Sequence, residues 1–360
     1  MSGAAEKDHR IPSLDGLRAV SIGLVLLGHL GGTRGFRRLD LGIGDYARLG
    51  VNVFFVISGF LITRLLLSEY AAKGRVSLKL FYMRRTLRLF PASYVYVACI
   101  ALLWRAGIIP LNVQDLWHAL TYTVNYMPKP SWAAGHLWSL SVEEQFYLLW
   151  PFAFVFMKPR KGMWIAAAMM LLGPCARFAA WLFLRGTPYR DLDMFPMVAD
   201  SLATGCLLAW MKSWLEGQGW YLRLFRPFYS TLLAALLLLT SRYGGYTVVG
   251  VFGGTFINVA LAILIHRSVY RHGDWMGRIL NWKPLAFVGV LSYSLYLWQQ
   301  LFLNRQSAAW ANAFPQNIVL AAGAALGSYF LIEMPLLKLR RRLRASDEVK
   351  LPEKARATHL

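Results

Sequence analysis

Residues 11–30 read IPSLDGLRAVSIGLVLLGHL. Between Arg18 and His29 only Ser21 is polar, and the stretch approaches the about 20 residues that a helix needs to cross a hydrocarbon layer. Asp15, Arg18 and His29 interrupt it and no A-x-A site follows, so a cleaved signal peptide is not expected. On a helix, Arg18 and His29 stand eleven residues apart, within roughly 20° of a whole number of turns and about 16 Å along the axis. They share a face. Asp15, three residues before Arg18, lies on the same side within pairing reach. One stripe therefore carries a carboxylate and a guanidinium at one end and an imidazole deep along its length. Ionisable groups are costly in lipid and usually face a bundle interior, which makes each a functional candidate.

The rest of the chain repeats this pattern. Of 360 residues, 57% are apolar and 16% charged, against about 45–50% and about 25% in soluble proteins. The formal net charge of +21 would point to nucleic acid in a soluble chain, but here the basic residues cluster between long apolar runs, so no nucleic-acid partner is expected. The three cysteines, Cys99, Cys175 and Cys206, lie inside apolar runs without C-x-x-C spacing, so neither a metal site nor a disulfide framework is expected. Ten stretches read as spans: 13–30, 51–67, 92–104, 141–157, 163–184, 195–211, 228–241, 247–266, 284–303 and 317–337. With both termini inside, cytoplasmic segments hold 27 Lys+Arg and the opposite loops 10, the bias of a positive-inside protein. The expected fold is an all-α polytopic bundle of about ten transmembrane helices with cytoplasmic N and C termini. Residues 1–340 form its membrane domain, and 341–360 a basic cytoplasmic tail, with no appended soluble domain.

Two further constellations stand out. In LKLFYMRRTLRLFP (78–91), Arg85 and Arg88 project from one helix face, where two guanidinium forks can grip a phosphate; plain positive-inside anchoring is the alternative, and Pro91 closes the motif. In HLWSLSVEEQFYLLWP (136–151), Ser141 and Glu144 fit a capping box at the start of the fourth span. Glu143 is left over, suited to orienting a histidine or accepting hydrogen bonds from sugar hydroxyls. His136 reads as a loop residue. Asp200 lies mid-span and needs a partner, for which Arg177 is the guess. Asn52, Ser58 and Gly59 can line a helix or let helices pack closely. Glu333 reads as part of an interfacial ion cluster.

The residues alone thus give an arginine cluster suited to an anionic cofactor inside, a buried imidazole about half a membrane away, and carboxylates outside. P-loop, zincin and nucleophile-elbow motifs are missing. Group transfer and transport both remain open on these grounds.

The chain also resembles the integral-membrane acyltransferase family 3, whose bacterial members O-acylate surface and exported polysaccharides. The resemblance rests on SLDGLRAVSIGLVLLGH with its Arg18-x10-His29, GVNVFFVISGFLIT, Arg85-x-x-Arg88, HLWSLSVEEQFYLLWP, DSLATGCLLA, LSYSLYLWQQ and IEMPLLKLRRRL, which together span nearly the whole chain. It implies an acyl-CoA-dependent O-acyltransferase of the bacterial cytoplasmic membrane. The acyl group would be acetyl first, and the acceptor a hydroxyl of a glycan or glycolipid. By that resemblance Arg18, Arg85 and Arg88 bind the CoA phosphates, and His29 acts as general base or as an acyl carrier. Glu143 or Glu144 assists the base or holds the acceptor, Asp15, Ser141 and Asp200 support, and no metal is needed. Many members have histidine where this chain has Gln299. Larger members carry a fused SGNH-type hydrolase domain, so this chain is expected to act alone or with a separate partner. The rival expectation is a glycan or glycolipid transporter or flippase.

Overall fold

The structure, a computed structural model, describes residues 11–37, 45–189, 193–243 and 248–339; for 158–160, 242–243 and 248–250 the backbone alone is described. The expected basic tail at 341–360 lies outside the described residues. Among those described there is helix and no strand. The helices are α1 (Leu14–Leu30), α2 (Tyr46–Lys73), α3 (Leu78–Arg105), α4 (Val113–Leu120), α5 (Trp132–Gly135), α6 (Leu137–Phe183) and α7 (Phe195–Glu216). They are followed by α8 (Gly219–Arg223), α9 (Pro227–Tyr243), α10 (Val248–Tyr270), α11 (Trp275–Leu280), α12 (Lys283–Val290), α13 (Ser292–Phe302) and α14 (Gln316–Ser328).

Apart from end residues and a break at Leu291, the described parts of the ten expected stretches fall on helix. Among the described residues, five helical segments are long and apolar enough to cross a membrane: Tyr46–Lys73, Leu78–Arg105, Lys161–Phe183, Val251–Tyr270 and Gln316–Leu339. A sixth results if α12 and α13, bent by 68° at their junction, count as one. The remaining stretches fall on α1 and α9, of 17 residues each, on the first half of α6, and on α7, which carries Asp200.

Lipid offers no hydrophobic drive for helix association, so packing depends on small residues that let backbones meet. The α2–α7 contact works this way. A Cβ on Gly59 would stand 2.0 Å from the Leu202 carbonyl oxygen, and one on Gly205 would stand 2.1 Å from that of Val56. Around this crossing Val56, Phe60, Leu202 and Cys206 are buried. A second fastening is ionic. Arg177 on α6 donates to both oxygens of the fully buried Asp200 on α7, at 3.1 and 2.9 Å, and Thr255 on α10 donates to the same carboxylate at 2.6 Å. Arg177 is thus the partner that Asp200 needs in an apolar surrounding.

Three expectations are corrected. Pro91 does not close the arginine motif: α3 runs through it, so Arg85, Arg88 and the third span belong to one 28-residue helix. Proline removes one backbone donor, but Leu89, Ala92 and Tyr96 around it are buried and hold the helix together. Ser141 and Glu144 form no capping box, because α6 begins one turn earlier, at Leu137. Ser141 instead donates back to the Leu137 carbonyl at 2.9 Å and accepts from the Val124 N–H at 3.3 Å. Finally, no loop separates the fourth and fifth spans. The backbone of α6 stays helical through residues 158–162, yet a Cβ on Gly162 would stand 3.8 Å from the Phe154 ring, eight residues away and about 12 Å along a straight axis. The helix therefore bends there, and Phe154 and Gly162 both meet Trp210 of α7.

Candidate active site

His29 occupies the last turn of α1, at the end opposite Arg18, rather than the middle of the helix. Its ring is half-buried and meets Trp132 of α5 edge to face, with centroids 5.9 Å apart. Nδ1 lies 2.9 Å from Oε1 of Gln299 on α13, a residue with no exposed surface. Nε2 has no hydrogen-bond partner among the described residues. The amide of Gln299 donates to Oε1 of Gln300 at 3.2 Å, and the amide of Gln300 donates to the Trp132 carbonyl at 3.0 Å. Trp132 returns its indole N–H to the Gln300 carbonyl at 2.9 Å. Arg305 lies over the Trp132 ring at 5.2 Å.

His136 is, as expected, a connecting residue outside the helices, but an enclosed one. It sits between α5 and α6, 3% exposed, with Nε2 3.0 Å from the Leu297 carbonyl and the ring packed edge to face on Tyr96. Burial, with the neighbouring His29 adding to it, pushes the imidazole down to about 3 despite the Leu297 carbonyl, so His136 is neutral at physiological pH.

The second cluster joins α2, α3 and α6. The Arg85 guanidinium stands 3.7 Å from the centre of the Tyr147 ring. The Glu143 carboxylate accepts from the Tyr147 and Ser58 hydroxyls, so Glu143 ties α6 to α2. Glu144 feels the Arg85 charge, and one of its carboxylate oxygens is buried without a hydrogen-bond partner among the described residues. Nε of Arg85 is likewise buried and unpaired. Arg88 acts electrostatically on Glu333, which sits in a π-helical turn, Tyr329–Glu333, and accepts from Ser294. Glu333 is therefore a buried bridge between α13 and the last helix, not part of an interfacial cluster.

Of the residues singled out by sequence, the structure brings Arg85, Glu143 and Glu144 together and sets His29 beside Gln299. Arg18 pairs with Asp15 at 3.3 Å, each about one-fifth exposed, one helix length from His29. Asp200 and Ser141 are committed to packing. Sequence reasoning missed Trp132, Gln300 and Tyr147. The paired glutamines ending the apolar run SYSLYLWQQ were a visible signal, since two amides beside lipid need partners.

The sequence model described as an acyltransferase domain matches residues 11–333. A peptidoglycan O-acetyltransferase OatA of Listeria monocytogenes is 28% identical over 327 residues, 80% of this chain and 48% of that protein. A putative peptidoglycan O-acetyltransferase YrhL of Bacillus subtilis is 31% identical over 320 residues, 81% of this chain and 48% of its own length. An O-acetyltransferase OatA of Staphylococcus aureus is 29% identical over 364 residues, 91% of this chain and 57% of its own length. The chain thus spans about half the length of these relatives. No solved structure matches it.

Proposed function

The chain belongs to the acyltransferase-domain family over residues 11–333, and from that premise we propose that it is a multi-pass O-acyltransferase of the bacterial cytoplasmic membrane. It moves an acyl group, acetyl first, from cytoplasmic acyl-CoA to a hydroxyl of a glycan or glycolipid. Peptidoglycan leads among acceptors because it stands in the names of the relatives. Family membership favours acyl transfer over transport. Residues 1–340 form the catalytic domain and 341–360 a basic tail. The bundle has about ten spans with both termini inside, in keeping with the Lys+Arg bias.

One observation carries the chemistry. A half-buried imidazole at one end of α1 is held through Nδ1 and keeps Nε2 open, with Arg18 at the helix's other end and Arg85 and Arg88 on α3. Arg18, Arg85 and Arg88 would grip the donor's phosphates, and the pantetheine arm would run toward His29. His29 takes the proton of the acceptor hydroxyl, whose oxygen attacks the thioester carbonyl. The C–S bond then breaks and the imidazolium returns the proton to the leaving thiolate, giving ester and free CoA. Glu143 and Glu144, packed beside Arg85 rather than on an outer face as the sequence suggests, tune the arginines, and Asp15 orients Arg18. Asp200 and Ser141 act only by keeping the helices in place.

The test is acetyl transfer from labelled acetyl-CoA to soluble peptidoglycan fragments by the purified chain, together with release of the CoA thiol. His29→Ala should abolish both while acetyl-CoA binding persists, and Arg85→Ala/Arg88→Ala should weaken that binding. Full activity in His29→Ala would remove His29 from the reaction, and a wild-type chain that binds no CoA thioester would overturn the donor.

A further inference from the structure

We infer that Gln299, Gln300 and Trp132 form a one-way amide ladder that fixes the tautomer of His29, protonating Nδ1 and leaving Nε2 as the free lone pair. The inference rests on the reading of His29 as the base and deepens it, by naming which nitrogen acts and what holds it so.

The direction of the ladder follows from its far end. The Trp132 backbone carbonyl can only accept, so the Gln300 side chain must present its NH2 there, at 3.0 Å. Gln300 Oε1 then points the other way and can only accept, so the Gln299 amide must donate to it, at 3.2 Å. That turns Gln299 Oε1 toward His29, and at 2.9 Å from Nδ1 an acceptor-only oxygen requires a proton on the imidazole nitrogen. A neutral imidazole has one N–H, so the lone pair is at Nε2. Reversing any amide would set two donors or two acceptors face to face in a site where Gln299 is unexposed and Gln300 4% exposed. The start of the ladder is itself anchored, because the Trp132 indole N–H is bound to the Gln300 carbonyl at 2.9 Å.

Gln299, Gln300 and Trp132 are positioning residues. An amide fixes orientation as the carboxylate of a hydrolase triad does, but places no counter-charge beside the imidazolium. His29 therefore gains no ion-pair stabilisation from Gln299 once protonated, which favours prompt return of the proton to the leaving thiolate.

Nitrogen-15 labelling of the seven histidines in the detergent-solubilised full chain separates the two neutral tautomers, because protonated and unprotonated ring nitrogens resonate far apart. Signals lost in His29→Ala belong to His29. In the wild type His29 should carry its proton on Nδ1. Gln299→Met, similar in length but without the acceptor, should shift His29 toward the Nε2–H form. It should also lower kcat about tenfold or more while KM for acetyl-CoA stays within about twofold. Gln299→Glu, which keeps an acceptor, should restore the Nδ1–H form, and unchanged signals from the other histidines report that each variant is folded. A wild-type His29 in the Nε2–H form, or a Gln299→Met protein with the wild-type tautomer, would overturn the ladder. A wild-type Nδ1–H signal together with a fully active His29→Ala protein would support the ladder and overturn instead the reading of His29 as base.

Discussion

At the residue scale, two histidines near one another are assigned different work by their surroundings. His29 is half-buried, with one nitrogen tied and the other open, whereas His136 is enclosed by Tyr96, Tyr296 and the Leu297 carbonyl. Removing a general base typically costs about 10²–10⁴-fold in rate, and His29→Ala should fall in or beyond that range. His136→Gln should leave any rate limb between pH 5 and 8 in place, because a group held near 3 does not titrate there; a displaced limb would assign the titration to His136. Its effect belongs to stability. The folded state keeps His136 neutral down to about 3, while the unfolded chain protonates it from about 6.5. Stability is therefore lost as pH falls below about 6.5, at up to about 1.4 kcal/mol per pH unit for one proton. Thermal unfolding in detergent should fall less steeply with acid in His136→Gln than in wild type, and equal slopes would contradict the assignment.

At the element scale, the bundle is fastened at the glycine crossing of α2 and α7 and at the Arg177–Asp200–Thr255 tie among α6, α7 and α10. Gly205→Leu forces side-chain atoms into the Val56 carbonyl and should destabilise the fold by about 3 kcal/mol or more, at or above the usual range for overpacking. Unchanged unfolding in that variant would disprove the close approach. Asp200→Leu leaves the half-buried Arg177 charge without its counter-ion and should lose up to about 3 kcal/mol, at the low end of the cost for breaking a fully buried pair, much of which Asp200→Leu/Arg177→Met should recover. No recovery would show that the tie contributes by more than charge balance. The long apolar runs, the partner of Asp200 and the small residues of GVNVFFVISGF were legible in sequence, because hydropathy and the need to pair a charge in lipid are local rules. The corner in α6 and the passage of α3 through Pro91 were not. Whether a polar run becomes a loop or a bent helix depends on neighbours, here Trp210 of α7, that lie far away in sequence.

For the whole molecule, the proposed transfer from cytoplasmic acyl-CoA to an outer glycan requires a donor face and an acceptor face on opposite sides of the bilayer. In a background free of Cys99, Cys175 and Cys206, Gln306→Cys should react with an impermeant maleimide on intact spheroplasts, and Ser213→Cys only after permeabilisation. The reverse labelling would invert the topology. The arginines and His29 were legible as separate motifs, and the resemblance supplied their likeness to an acyltransferase. The paired glutamines were visible as buried amides in need of partners, but their place around His29 was not, since Trp132, Gln299 and Gln300 come from segments more than 100 residues from it and are assembled only through the packing of α1, α5 and α13. The most direct measurement is release of CoA thiol and transfer of the labelled acetyl group from acetyl-CoA to soluble peptidoglycan fragments, by the purified full chain and by His29→Ala side by side. Release and transfer by the wild type, with loss of both in a His29→Ala protein that still binds acetyl-CoA, is the expected result; equal rates in the two proteins would contradict it.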